Sequence, residues 1–146
     1  MVGRAEQARR SGDGGRRTPA VPPYRDTSAP VLNLTHLRSM TGGDRALEAE
    51  ILGLFAEQVR ALTVALAADA TGAATPMALH TIKGAARGVG AAEVSRLAAL
   101  AEQAADPRQQ AAAVAVLMIA LDAALVAVQE AVKEAAEAAA KAASQA

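Results

Sequence analysis

Apolar residues in this chain recur at spacings of three and four, and no run of β-branched residues alternates with polar ones between turns. The first pattern puts one stripe of side chains along a helix; the second, which a half-buried strand needs, is missing. Alanine, leucine and valine fill the stripes, and Tyr24 and Phe55 are the sole aromatics. Ala, Leu, Glu and Arg lose little rotamer freedom in a helix. The chain is therefore expected to be all-α, and its 146 residues suffice for one domain and a tail.

Residues 1–30 are expected to form a disordered basic tail. Ser11 to Pro19 is polar and Gly-rich, and Pro22, Pro23 and Pro30 follow with nothing apolar at helical spacing. Arg4, Arg9, Arg10, Arg16, Arg17 and Arg25 stand against Glu6, Asp13 and Asp26, so this segment carries +3 and the remainder −3. Over the whole chain the formal charge is zero, which gives no electrostatic reason for nucleic acid or an anionic membrane as partner. Cysteine is absent, which excludes thiolate chemistry. No apolar run is expected to approach the roughly 20 residues of a membrane span. The first residues lack the apolar segment of a signal peptide. These features together predict a cytoplasmic, monomeric protein.

The domain itself is expected over residues 31–133. Leu34, Leu37 and Met40 predict a short helix, capped by Thr35 and stopped at Gly42-Gly43. A second helix opens at Asp44, carries Leu47, Ile51, Leu54, Phe55, Leu62 and Leu66 on one stripe, and ends near Thr71-Gly72. Thr75 as N-cap and Pro76 at the first helical position open a third, which Gly90 stops. A fourth carries Val94, Leu97, Ala101 and Ala104. Asp106 caps the last, Pro107 starts it and Gln109 reaches back, ahead of Val114, Leu117, Leu121, Leu125, Val128 and Val132. Residues 134–146 are read as an Ala-rich extension with few core positions that projects and frays. Short connections imply antiparallel neighbours. The expected architecture is an up-down antiparallel four-helix bundle with a short additional N-terminal helix.

One segment carries chemistry. On a helical wheel Ala78, Leu79, Ile82, Ala86 and Val89 gather in an apolar arc, and His80, Lys83, Gly84 and Arg87 lie opposite. A structural core histidine would sit in the apolar arc. Lys83 at i+3 and Arg87 at i+7 place two cations along the imidazole's face, which suits a ring that acquires negative charge on phosphorylation. Gly84 costs its helix about 1 kcal/mol relative to alanine, so its presence suggests that something approaches closely there.

Other motifs point nowhere. Gly88-Val89-Gly90 lacks the third glycine and the preceding strand of a dinucleotide site. There is no phosphate-loop lysine motif, so the chain is not expected to be a kinase or other enzyme. His36 has no Cys, His or carboxylate at ligand spacing, so no metal site is expected. On the residues alone three classes remain open: phosphoryl chemistry on His80, an adaptor bundle that docks a partner without phosphate, and a nucleic-acid-associated protein using the Arg-rich tail.

The run His80-Thr81-Ile82-Lys83-Gly84-Ala85-Ala86, followed by Val89-Gly90-Ala91, resembles the signature of histidine-containing phosphotransfer (HPt) domains. There a phosphorylatable histidine precedes x-x-Lys-Gly and a hydrophobic-Gly-Ala step. Thr41-Gly42-Gly43-Asp44 resembles the family's glycine-aspartate approach to its second helix, Phe55 falls where that helix carries a core phenylalanine, and Leu97 to Glu102 resembles the following Leu-rich, Glu-bearing helix. The likeness spans roughly residues 32–130. It implies a phosphorelay intermediate of two-component signalling, with His80 as phosphoacceptor and Lys83 stabilising the phosphoryl group. Gly84, Arg87, Thr81 and Met77 would meet the partner. The implied partners are receiver domains of response regulators or hybrid histidine kinases. No cofactor is implied for this chain, since the Mg²⁺ would belong to the receiver.

Overall fold

A computed structural model of the protein describes residues 31–69 and 72–145; the expected tail over 1–30 lies outside them. Five α-helices make up the described fold: α1 (Leu34–Thr41), α2 (Arg45–Ala68), α3 (Thr75–Val89), α4 (Ala92–Glu102) and α5 (Pro107–Ser144). Four close a ring in which α2 packs on α3 and α5, and α4 packs on the same two. Thus α3 and α5 occupy opposite corners, and α1 lies against α2 and α3.

Local chemistry sets most of the boundaries. The Asp44 carboxylate accepts the Leu47 amide at 3.1 Å and opens α2. Asp106 does the same for Gln109 at 2.8 Å, while the Gln109 side chain accepts the Ala105 amide at 3.2 Å. Gly42, at φ 64°, ends α1.

Two caps differ from the expected ones. Asn33, not Thr35, caps α1: its side-chain oxygen accepts the His36 amide at 3.1 Å, and its own N–H donates to the Gly90 carbonyl at 2.9 Å. Asparagine is the better N-cap, and this one is also anchored to α3. Thr75 is the first residue of α3 rather than its cap; it is buried, and its hydroxyl donates to Asp69 at 2.9 Å. Asp69 also accepts the amides of Gly72 and Ala74, at 3.1 and 2.9 Å. One carboxylate therefore organises the turn, so α2 stops at Ala68, short of the expected Gly72.

The core holds Leu37, Leu52, Phe55, Val59, Leu79, Ile82, Val94, Leu117, Leu121 and Val128. On α2 the buried line is Glu48, Leu52, Phe55, Ala56 and Val59, whereas the expected Leu47 and Leu54 face outward. Leucines surround much of α2, so their spacing alone does not select the buried face. The expected Ala104 lies beyond the end of α4, which Gln103 terminates. Past residue 133 the last helix continues unbroken to Ser144, and Ala135 is buried, so its packed part extends into the expected overhang. By length and composition α2 and α5 are also apolar enough to cross a membrane. That corrects the expectation of no such run: residues 111–128 hold a single charge, Asp122, among alanines and larger apolar residues.

Candidate functional site

Helix α3 is amphipathic in the way its sequence requires. Ala78, Leu79, Ile82, Ala86 and Val89 are buried, and this apolar line presses the helix into the ring. The opposite face is therefore held toward solvent on a rigid support. His80 stands on it with its side chain 71% exposed. Met77 precedes it by one turn and is exposed. Gly84 and Arg87 follow, both exposed. A Cβ on Gly84 would meet no atom of a neighbouring element within 4 Å. No neighbouring helix explains the glycine, since none packs over it.

Packing of α4 on α3 brings Glu102 to this face. Its Oε1 lies 3.4 Å from His80 Nδ1, and its Oε2 accepts from Lys83 Nζ at 2.6 Å. Lys83 is thus not a free cation on the solvent arc; its side chain is 25% exposed and paired across two helices. The short hydrogen bond from Lys83 holds the Glu102 carboxyl below the usual carboxylate range, the Lys83 charge adds to this, and His80 contributes less. Because that pKa is lowered, the ion pair is lost at a lower pH than the one at which a free glutamate takes up its proton. Ser95 ties the same two helices together by donating to the Lys83 carbonyl at 3.2 Å.

The remaining candidates are less engaged. Thr81 donates its hydroxyl to the Met77 carbonyl at 2.9 Å, within its own helix. His36 lies on α1, and its backbone N–H is taken by Asn33. Glu102 is the residue the sequence-based site omits. Its signal in the sequence is only that of the carboxylate ending the Leu-rich segment of α4; the pairing with His80 and Lys83 depends on how two helices pack, which periodicity does not encode. Among the described residues no three His, Cys, Asp or Glu side chains come together as a metal site would require.

The arrangement has a chemical direction. A carboxylate beside Nδ1 favours the tautomer with its proton there, which leaves the Nε2 lone pair toward solvent. An imidazole so oriented is a nucleophile whose developing ring charge has a counter-ion in place.

The model of the Hpt domain family matches residues 46–141. Nothing among the curated proteins or the solved structures matches the chain.

Proposed function

The chain belongs to the Hpt domain family, whose members carry phosphoryl groups on histidine in phosphorelay signalling, and on that premise we propose that His80 accepts a phosphoryl group from a receiver-domain aspartate and passes it to a second receiver. The observation that carries this is the pairing of His80 Nδ1 with Glu102 on an open helix face. In the forward step Nε2 attacks the phosphorus of the aspartyl phosphate. The P–O bond to aspartate breaks, the carboxylate leaves with the electron pair, and the ring keeps its Nδ1 proton as a phospho-imidazolium facing Glu102. Lys83, one turn from His80, shifts from Glu102 toward the phosphoryl oxygens. Arg87 and Met77 contact the receiver, Thr81 lies beside them, and the receiver supplies the Mg²⁺. The helices of the ring run alternately up and down, a reading supported by their short connections and cyclic packing.

A phosphorylated receiver incubated with the protein tests this. Label should appear on this chain, labile to acid and stable to base, as a phosphoramidate is. Label that resists acid, or none, rejects the assignment. Replacing Glu102 by Gln should slow transfer on the order of tenfold, about 1.5 kcal/mol for one charge-assisted hydrogen bond. An unchanged rate would remove Glu102 from the site.

The open space above Gly84 yields a second expectation. Gly84→Ala should leave the fold as stable or more so, by up to about 1 kcal/mol, because a helical position gains alanine without a clash. Gly84→Gln should keep the thermal midpoint while receiver-to-carrier transfer falls sharply, since the receiver must close onto this face. Melting and transfer measured on the three proteins separate the cases. Parallel loss of both, or full transfer by the Gln variant, contradicts a docking role.

A further inference from the structure

Opposite the packed side of α5 runs an apolar stripe that none of the described residues covers. Leu117, Leu121, Ala124 and Val128 face the core. At about 100° per residue, the opposite direction belongs to Ala112, Ala115, Val116, Ile119, Ala123 and Val126. Ile119 is 72% exposed, Val126 57% and Val116 42%. Single exposed apolar residues need no explanation, but a continuous line of them on one helix face marks an interaction surface.

The charges at its ends identify the occupant. Arg108 and Glu130 are exposed on the same face, each eleven residues from Ile119 in opposite directions. Eleven residues are about 16 Å of helix and return to nearly the same angle. A second α5 laid parallel and in register would set Arg108 against Arg108 and Glu130 against Glu130. Laid antiparallel about a two-fold axis through Ile119, each Arg108 meets the other copy's Glu130. Ala112 then faces Val126, and Ala115 faces Ala123, small residues that let the two backbones approach. A two-fold interface needs this kind of self-complementary patch. Val116 and Asp122, each three residues from Ile119 and about 60° around the helix, then face one another at the two edges of the stripe, where a polar rim is expected.

We infer that α5 is the interface of a homodimer, two copies packing antiparallel across Ile119. The stripe is about 33 Å long and 10 Å wide, on the order of 400 Å² per copy. Over the two copies this is about 800 Å², below the roughly 1,200 Å² of stable complexes, so the dimer is weak and dissociates on dilution. Since α5 and α3 occupy opposite corners of the ring, His80 stays accessible in both copies. The dimer departs from the monomer expected from the sequence.

Sedimentation equilibrium of the full chain from about 5 to about 500 µM tests the inference. Wild type should pass from monomer to dimer, and Ile119→Glu should weaken association at least tenfold with an unchanged thermal midpoint. Arg108→Glu alone and Glu130→Arg alone should each weaken it, and the double reversal should restore it. A monomer throughout, or single reversals without effect, would overturn the antiparallel dimer. Flotation with phosphatidylcholine–phosphatidylglycerol vesicles covers the other occupant: wild type should stay unbound, and vesicle binding abolished by Ile119→Glu would assign the stripe to lipid. Should Ile119→Glu not fold, the charge reversals decide alone.

Discussion

His80→Gln is expected to abolish phosphorylation of this chain while leaving its thermal midpoint within a degree or two of the parent. Glutamine keeps a polar side chain of similar reach but offers no nitrogen lone pair with the nucleophilicity of imidazole, so the covalent intermediate cannot form. The fold is indifferent because the side chain is mostly solvated and its ion-pair partner, Glu102, retains Lys83. Surface substitutions of this kind shift stability by about 0.5 kcal/mol or less. Label transfer from a phosphorylated receiver, followed beside a melting curve, reads both. Residual acid-labile label in this variant would move the acceptor elsewhere, and His36 is the other histidine to examine.

Gly90→Ala is expected to produce a large loss of stability although it adds only a methyl group. Gly90 sits at φ 78°, where a side chain costs roughly 1–2 kcal/mol. A Cβ there would also meet the Asn33 carbonyl oxygen at 2.7 Å, and that atom is backbone that cannot swing aside. Asn33 is held by its N–H bond to Gly90 and by its role as the cap of α1. Relieving the clash therefore pushes α1 off the end of α3. The combined loss should reach about 2–4 kcal/mol, lowering the thermal midpoint by on the order of 10 °C or more. Gly42→Ala is the control: its φ of 64° carries the conformational cost, but its Cβ would enter open space. Denaturation of the two side by side should show the Gly90 variant losing clearly more. Equal losses would mean that the approach of Asn33 contributes nothing.

The contrast among these glycines shows what the sequence conveys and what it does not. Helical periodicity identifies all five helices, because alanine and leucine at spacings of three and four have few other ways to bury themselves. It places the apolar arc of α3 correctly, since there the polar and apolar halves are cleanly divided. It fails on α2, where Leu47 and Leu54 sit among so many apolar neighbours that no stripe stands out, and only packing against α3 and α5 selects Leu52 and Val59. Thr35 and Asn33 both precede an apolar run, so sequence alone does not separate them as caps; the bond from Asn33 to Gly90, a contact between two helices, does. His80, Lys83 and Gly84 are legible as a local motif. Glu102, nineteen residues beyond Lys83, is not, because its place beside His80 is a property of two helices in contact.

That shared carboxylate has an electrical consequence for the proposed carrier. With a neutral imidazole, His80, Lys83 and Glu102 together carry no net charge. A phosphoryl group brings close to two negative charges and leaves the ring a cation, so the site gains about one negative charge in all. Lys83 can turn toward it by rotating about its own side-chain bonds, and Arg87 waits two turns along the same face. The empty and loaded forms then differ in the charge held above α3. A receiver approaching over that surface meets a neutral patch in one case and an anionic one in the other. Donor and acceptor can thus be sorted by long-range attraction that added salt would erase, before any contact is made.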